Sequence, residues 1–154
     1  MDFGHLFFKF DGRINRAKFW IAILIFVGIY VVLALIGYLA GQGMAFQAVN
    51  SMLSIVIFIM MLAVGIKRLH DRNKSGWYIV LFYVVPGVLT AVSVALTIGS
   101  GPSGITATAL ALAAIAIGVW GLIELGFLRG SIGGNQYGAD PIAPEILTPP
   151  VHTH

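Results

Sequence analysis

With 154 residues the chain has the length of a single domain, yet only 10% of those residues are charged and 58% are hydrophobic. A water-soluble domain carries about 25% charged residues, so this composition excludes a fold that faces water on all sides and requires lipid around much of the exterior. The net charge is +3, and the absence of cysteine excludes disulfides, thiol catalysis and thiolate metal sites.

Residues 1–18 form a first segment. Phe3, Leu6, Phe7 and Phe10 stand at i, i+3, i+4 and i+7, a spacing that gives one apolar helical face. With Lys9 beside it, the segment is predicted as an interfacial helix lying in the headgroup region; the alternative is a short disordered lead.

Residues 19–127 hold four apolar runs, at about 19–39, 48–66, 77–98 and 105–127. About 20 apolar residues suffice to cross a hydrocarbon core roughly 30 Å thick, so each run is long enough. Buried helices of a soluble protein are a poor account of four such runs in so short a chain. None shows the alternation of a barrel strand. The first run is longer than the roughly 7–15 residues of a signal-peptide core and is read as a retained anchor, although Gly43-Met44-Ala45 makes a cleavage-like triplet. The predicted fold is therefore all-α: a polytopic four-transmembrane-helix bundle with an N-terminal interfacial helix.

The basic residues sort to one side. Lys9, Arg13, Arg16 and Lys18 precede span one; Lys67, Arg68, Arg72 and Lys74 lie between spans two and three; Arg129 follows span four. The other two loops carry no charge. Positive residues near span ends are retained in the cytoplasm, which predicts cytoplasmic termini and places Trp20 and Trp77 at the cytoplasmic headgroups.

Within span three, Pro86-Gly87 predicts a kink, because proline removes one backbone hydrogen bond and clashes with the preceding turn. In span four Ala107, Ala111, Ala114, Gly118 and Gly121 form a small-residue seam that allows close helix approach, within the chain or with a second copy. Glu124 is the one ionisable residue well inside a span. It reads either as a proton or cation site or as an interfacial ion pair with Lys67 or Arg68, and the ion pair is the simpler account.

The loop Lys67-Arg68-Leu69-His70-Asp71-Arg72-Asn73-Lys74-Ser75-Gly76-Trp77 is the most distinctive stretch. Span two is expected to stay helical to about His70, with Asn73 or Ser75 capping span three and Gly76 giving an uncrowded turn. His70 and Asp71 are adjacent and point about 100° apart on a helix, so they make no relay. No nucleophile elbow and no second histidine at i+4 accompany them. The expected role of this loop is a tight charged turn whose cations meet anionic headgroups.

This loop, together with Phe10-Asp11-Gly12-Arg13-Ile14-Asn15-Arg16-Ala17-Lys18-Phe19-Trp20 and Gly134-Asn135-Gln136-Tyr137-Gly138-Ala139-Asp140-Pro141, resembles the signature of the bacterial inner-membrane family called "domain of unknown function 805". The three blocks occur in the family's order and cover the chain from about Phe10 to Pro141. Ala139, where a proline often stands, and Tyr78, where a second tryptophan is common, are small departures. The resemblance implies a bacterial membrane protein and no particular reaction.

The tail, 128–154, contains Pro141, Pro144, Pro149 and Pro150, and its end is expected to be extended or disordered. His152 and His154 read as solvated rather than metal-binding. No catalytic residue, cofactor or metal site is predicted. The candidate functional or lipid-contacting residues are Arg13, Arg16, Lys67, Arg68, His70, Asp71, Arg72, Lys74, Trp77, Glu124, Asn135 and Tyr137. The expected function is a non-catalytic scaffold or interaction protein. Its partners would be membrane lipids, with anionic headgroups on the cytoplasmic side, and a second copy or another membrane protein. The alternative is a small oligomeric transporter or channel using Glu124 and the kinked span; an enzyme using His70 and Asp71 is the weakest reading. The few cations sit at membrane boundaries rather than along a phosphate track, so no nucleic acid is expected.

Overall fold

The computed structural model describes residues 3–100 and 104–142, with side chains at all of these except 99 and 100. The predicted proline-rich end, with Pro144, Pro149, Pro150, His152 and His154, lies outside the described residues. Among the described residues the architecture is all-α. A short helix α1 (Phe3–Phe8) precedes α2 (Arg16–Ala40) and α3 (Met44–Asp71). A π-helical turn, Val80–Val84, leads into α4 (Val85–Ser100), and α5 (Ile105–Leu122) runs into a second π-helical turn, Ile123–Phe127. Four of these stretches are long and apolar enough to span a bilayer: Arg16–Ala40, Met44–Asp71, Val80–Ile98 and Ile105–Phe127. The chain is a polytopic membrane protein.

The second span is longer than its apolar run predicts. Its 28 residues extend about 42 Å at 1.5 Å per residue, against a hydrocarbon core of about 30 Å. The helix adds residues 44–47 at one end and the charged Lys67–Asp71 at the other, one residue past the expected limit at His70; the charged turn stays helical because Lys67, Arg68 and Asp71 find partners inside the protein. The start of α2 is fixed locally: the Asn15 side-chain oxygen accepts the Lys18 backbone N–H at 2.9 Å, closing the first turn.

The core sits at the charged end. Leu6, Phe7, Ile14, Phe19, Phe26, Val64, Leu69, Ile79, Phe82 and Leu125 pack there as one buried cluster. Toward the other end Val31, Leu35, Val49, Met52 and Ile55 are exposed, as residues solvated by lipid tails are. Along their length α4 and α5, with the π-helical turn before α4, hold together by close approach: Ala107, Ala114 and Gly121 are buried, and the Ser93 hydroxyl donates to the Ala107 carbonyl at 2.7 Å. A methyl group on Gly121 would stand 3.0 Å from the Phe82 ring, so the small-residue seam is used within the chain. Gly118 faces open space instead.

The proline of span three is accommodated by the π-helical turn before it. Pro86 has no N–H to give the Phe82 carbonyl, and its ring would strike that carbonyl in a regular helix. The wider turn relieves the clash, with the Val85 N–H reaching the Val80 carbonyl instead.

The N-terminal helix departs from the expected apolar face. Leu6 and Phe7 point into the core, with Phe7 edge-on to Phe26 at 5.4 Å, whereas Phe3 is exposed and Phe10 lies beyond the helix, also exposed. The helix is docked on the protein because the Lys67 ammonium donates to its free C-terminal carbonyls, those of His5 and Leu6.

Candidate functional site

Eight ionisable side chains, those of Arg13, Arg16, Lys67, Arg68, Asp71, Arg72, Lys74 and Glu124, and the free carbonyls of the fourth span build a polar cluster at the charged end. Helix α3 contributes Lys67, Arg68 and Asp71, at the i, i+1 and i+4 positions of its last turn, and all three are buried. Asp71 is the hub. Its Oδ1 accepts from Arg13 Nη2 at 3.1 Å and from Arg13 Nε at 3.2 Å, and its Oδ2 accepts from Arg68. Its backbone carbonyl accepts from the Ser131 N–H at 2.8 Å and the Ser131 hydroxyl at 3.1 Å.

The two guanidiniums have further work. Arg68 donates through Nε to the Leu125 carbonyl at 2.7 Å and through Nη2 to the Leu128 carbonyl. Arg16 donates to the Phe127 carbonyl at 3.0 Å, and the Trp20 indole donates to the Gly126 carbonyl at 3.0 Å. A helix end leaves its last carbonyls without partners, and in lipid each unsatisfied one is costly. Here four consecutive carbonyls, 125 to 128, are met by three side chains from the opening and central blocks. Arg13 holds the tail in the same way, donating to the carbonyls of Ser131 at 2.7 Å, Gly133 at 2.7 Å and Gly138 at 3.2 Å.

The tail block is a clip. Asn135 and Gly138 exchange both backbone hydrogen bonds at 3.0 Å, with Gly138 at φ +135°, and the Asn135 side-chain oxygen accepts the Tyr137 N–H at 2.9 Å. The other half of the Asn135 amide donates to the His70 carbonyl and the Ser131 hydroxyl, both at 2.9 Å. The clip lays the Tyr137 ring flat on the His70 imidazole, centroids 3.8 Å apart and planes within 4°. The imidazole is pinned on its other side by the Gly12 carbonyl, 3.2 Å from Nδ1. Asp140 closes the base of the clip by accepting the N–H groups of Ile142 and Gly133, which hold its carboxyl below the ordinary carboxylate value.

A family model described as "Protein of unknown function (DUF805)" matches residues 7–139. The chain belongs to this family. Among its DUF805-like relatives is the Escherichia coli (strain K12) protein called "Uncharacterized protein YiiR", 33% identical over 134 residues, which are 86% of each chain. The same organism's "Inner membrane protein YhaH" and "Inner membrane protein YhaI" are each 31% identical, over 77 and 75 residues. Those stretches are 49% of this chain and 64% and 62% of the respective relative. No solved structure matches the chain.

The three DUF805 blocks thus form one hydrogen-bonded unit, and this relocates several predicted residues. Glu124 does not pair with Lys67 or Arg68. Its Oε1 accepts from Lys74 at 2.7 Å and from Arg72 at 2.9 Å. Lys67 and Arg68 are turned inward by their helical positions, whereas Asn73 adopts a left-handed φ of 56° that folds the chain back. Among the residues expected at the headgroups, Arg13, Lys67 and Arg68 are buried and occupied by protein groups, so they cannot meet lipid. Arg16 remains exposed, as do Lys9 and Arg129. Asn73 does not cap span three; the Ser75 hydroxyl faces the Trp77 N–H at 3.4 Å. Trp77 is 82% exposed beside it.

Sequence reasoning missed Ser131, Gly130 and the run of carbonyls, because a carbonyl has no side-chain signature. Tyr137 was singled out without its partner. Since its ring lies flat on His70, Tyr137→Phe is expected to leave stability unchanged, while Tyr137→Ala lowers it by about 1 kcal/mol. Thermal unfolding of the full chain in detergent measures both; equal loss from the two variants would make the hydroxyl, not the stack, the important group.

Proposed function

We propose that the chain is a non-catalytic protein of the bacterial inner membrane that presents its signature blocks as a fixed platform at the cytoplasmic surface, for contact with lipid headgroups and a protein partner. The observation that carries this reading is the use of the cluster's charges. Arg13, Arg68, Asp71, Arg72, Lys74 and Glu124 are all engaged with one another or with backbone carbonyls. No buried side-chain nitrogen or oxygen among the described residues lacks a partner. A group held this way gives shape and rigidity, whereas an acid or base in catalysis needs a free face toward a substrate.

The inner-membrane assignment is supported by the relatives YhaH and YhaI, each named an inner membrane protein. The cytoplasmic orientation is supported by the nine basic residues, all at the charged end, against two loops without charge. Exposed Lys9, Arg16 and Arg129 are suited to anionic headgroups, each worth about 1 kcal/mol near such a surface. Transport through Glu124 has less support, since two cations already hold its carboxylate.

The chain has no cysteine, which makes single-cysteine labelling direct. A membrane-impermeant maleimide added to intact cells is expected to label Gln42→Cys and to spare Lys9→Cys and Arg129→Cys; the reverse pattern would overturn the orientation. A photo-crosslinking residue at position 129 or 9 is expected to capture a protein partner, and one at 42 is not. Purified protein in liposomes is expected to pass no protons or cations. A flux that Glu124→Gln abolished would replace the platform reading with transport.

A further inference from the structure

The signature residues that the polar cluster leaves over are His70, Ser75, Gly76, Trp77 and Tyr137, and they converge on one cleft. It lies between the end of α3 and the π-helical turn that leads into α4, with a volume of about 380 Å³, within the roughly 300–1,000 Å³ of small-ligand sites. Its floor is apolar: Ile66, Ile79 and Val80. These side chains belong to the membrane ends of two spans, so the floor continues into the hydrocarbon while the rim stands at headgroup level.

The rim carries two polar groups with hydrogen-bonding capacity to spare. The His70 Nδ1 faces a carbonyl oxygen, Gly12, at 3.2 Å. A carbonyl only accepts, so that contact places the proton of the neutral ring on Nδ1 and leaves Nε2 as an acceptor. Nε2 has no hydrogen-bond partner among the described residues and lies over Gly76, where an added methyl group would sit 3.4 Å from it and 3.0 Å from Ile66. The missing side chain keeps the mouth of the cleft clear. The Ser75 hydroxyl, which takes the Trp77 N–H at 3.4 Å, still has its own proton to give. The Trp77 indole forms the outer wall. Tyr137 and Gly12, from the other two blocks, hold the imidazole rigid, so all three blocks contribute to the geometry of one acceptor.

We propose that this cleft binds a membrane lipid whose head donates hydrogen bonds, through a primary ammonium or a glycerol hydroxyl. The donor meets His70 Nε2, an acceptor oxygen of the head takes the Ser75 hydroxyl, and the first chain carbons lie on Ile66, Ile79 and Val80. A head with neither N–H nor O–H, such as a quaternary choline, leaves Nε2 unsatisfied, and burying an unpaired acceptor is the basis of strong discrimination. The assignment rests on this end lying at headgroup level and is independent of which side of the membrane it faces, so a reversed topology leaves it standing.

The test is native mass spectrometry of the full chain in detergent with equal amounts of added phosphatidylethanolamine, phosphatidylglycerol or phosphatidylcholine. Retention of at least one donor lipid is expected to exceed that of phosphatidylcholine about tenfold; ethanolamine alone would identify the ammonium, glycerol alone the hydroxyl. His70→Phe keeps the stacked ring and removes the acceptor, and is expected to bring the preference within about twofold. Val80→Trp fills the cleft without touching a polar group and is expected to lower donor-lipid retention to the phosphatidylcholine level, which keeps the test decisive if His70→Phe fails to fold. Equal retention of the three lipids by the native chain would overturn the proposal. So would a phosphatidylglycerol preference that survives both variants, since that is general attraction to a basic surface.

Discussion

Asp71→Ala is expected to be the most damaging single substitution in the chain, lowering stability by about 3–5 kcal/mol. The Arg13 and Arg68 side chains are 1% and 0% exposed and share this one carboxylate. Without it, two guanidiniums would face the same vacated space, each buried and each repelled by the other. The carbonyls of Leu125, Leu128, Ser131, Gly133 and Gly138 that surround them solvate the cations but cannot neutralise them. In thermal unfolding of the detergent-solubilised full chain, the melting temperature is expected to fall on the order of 10 °C. Asp71→Asn keeps the shape and one acceptor oxygen, and should fall between the native chain and the alanine variant. The double variant Arg13→Ala/Asp71→Ala should cost clearly less than the two single losses added, because the second change removes a charge the first left stranded. Additive losses would show that the pair contributes independently and that Asp71 is not the hub.

Much of this arrangement was legible in the sequence, for identifiable reasons. Lipid demands long uninterrupted apolar stretches, so the four spans could be counted, and the fourth was placed at 105–127 as the structure has it. The apolar run of the second ends at 66, and the expected helical continuation to about His70 falls one residue short of the observed end at Asp71; the charged turn stays helical since Lys67, Arg68 and Asp71 find their partners within the protein. The same residues explain the misplaced partner of Glu124. Depth alone favours Lys67 and Arg68, but depth says nothing of rotation about the helix axis, and both point into the bundle. Arg72 at the helix end and Lys74 beyond the left-handed Asn73 both reach Glu124, and a left-handed asparagine is not announced by its neighbours.

The three blocks were visible as residue patterns, yet their meeting was not. Their contacts run chiefly from side chain to backbone carbonyl, as with Arg16 to Phe127 and Trp20 to Gly126. One partner in each such contact leaves no trace in residue identity. The π-helical turns at Val80–Val84 and Ile123–Phe127 were hidden for a similar reason. The first answers Pro86, which was seen as a kink, while the second has no proline to mark it.

A single methyl group at position 130 is expected to do nearly as much harm as losing a charge partner. A Cβ built on Gly130 would fall on the Asp71 carboxylate, against both of its oxygens. The backbone of Gly130 is not in the left-handed region, so this glycine is needed for close approach and not for conformational freedom. Ordinarily a carboxylate would swing aside, but this one is held by Arg13 on one oxygen and Arg68 on the other. The backbone is equally constrained, since Ser131 is bonded to the Asp71 carbonyl through both its N–H and its hydroxyl. Gly130→Ala is therefore expected to cost about 1–3 kcal/mol, the range for overpacking a well-filled interior. Gly118→Ala provides the contrast. Nothing lies within 4 Å of a methyl group there, and alanine favours a helix over glycine by about 1 kcal/mol, so that variant should melt no lower than the native chain. The same unfolding measurement decides between them: if Gly130→Ala melts with Gly118→Ala, the Asp71 carboxylate has room to move, and the hub is looser than its hydrogen bonds imply.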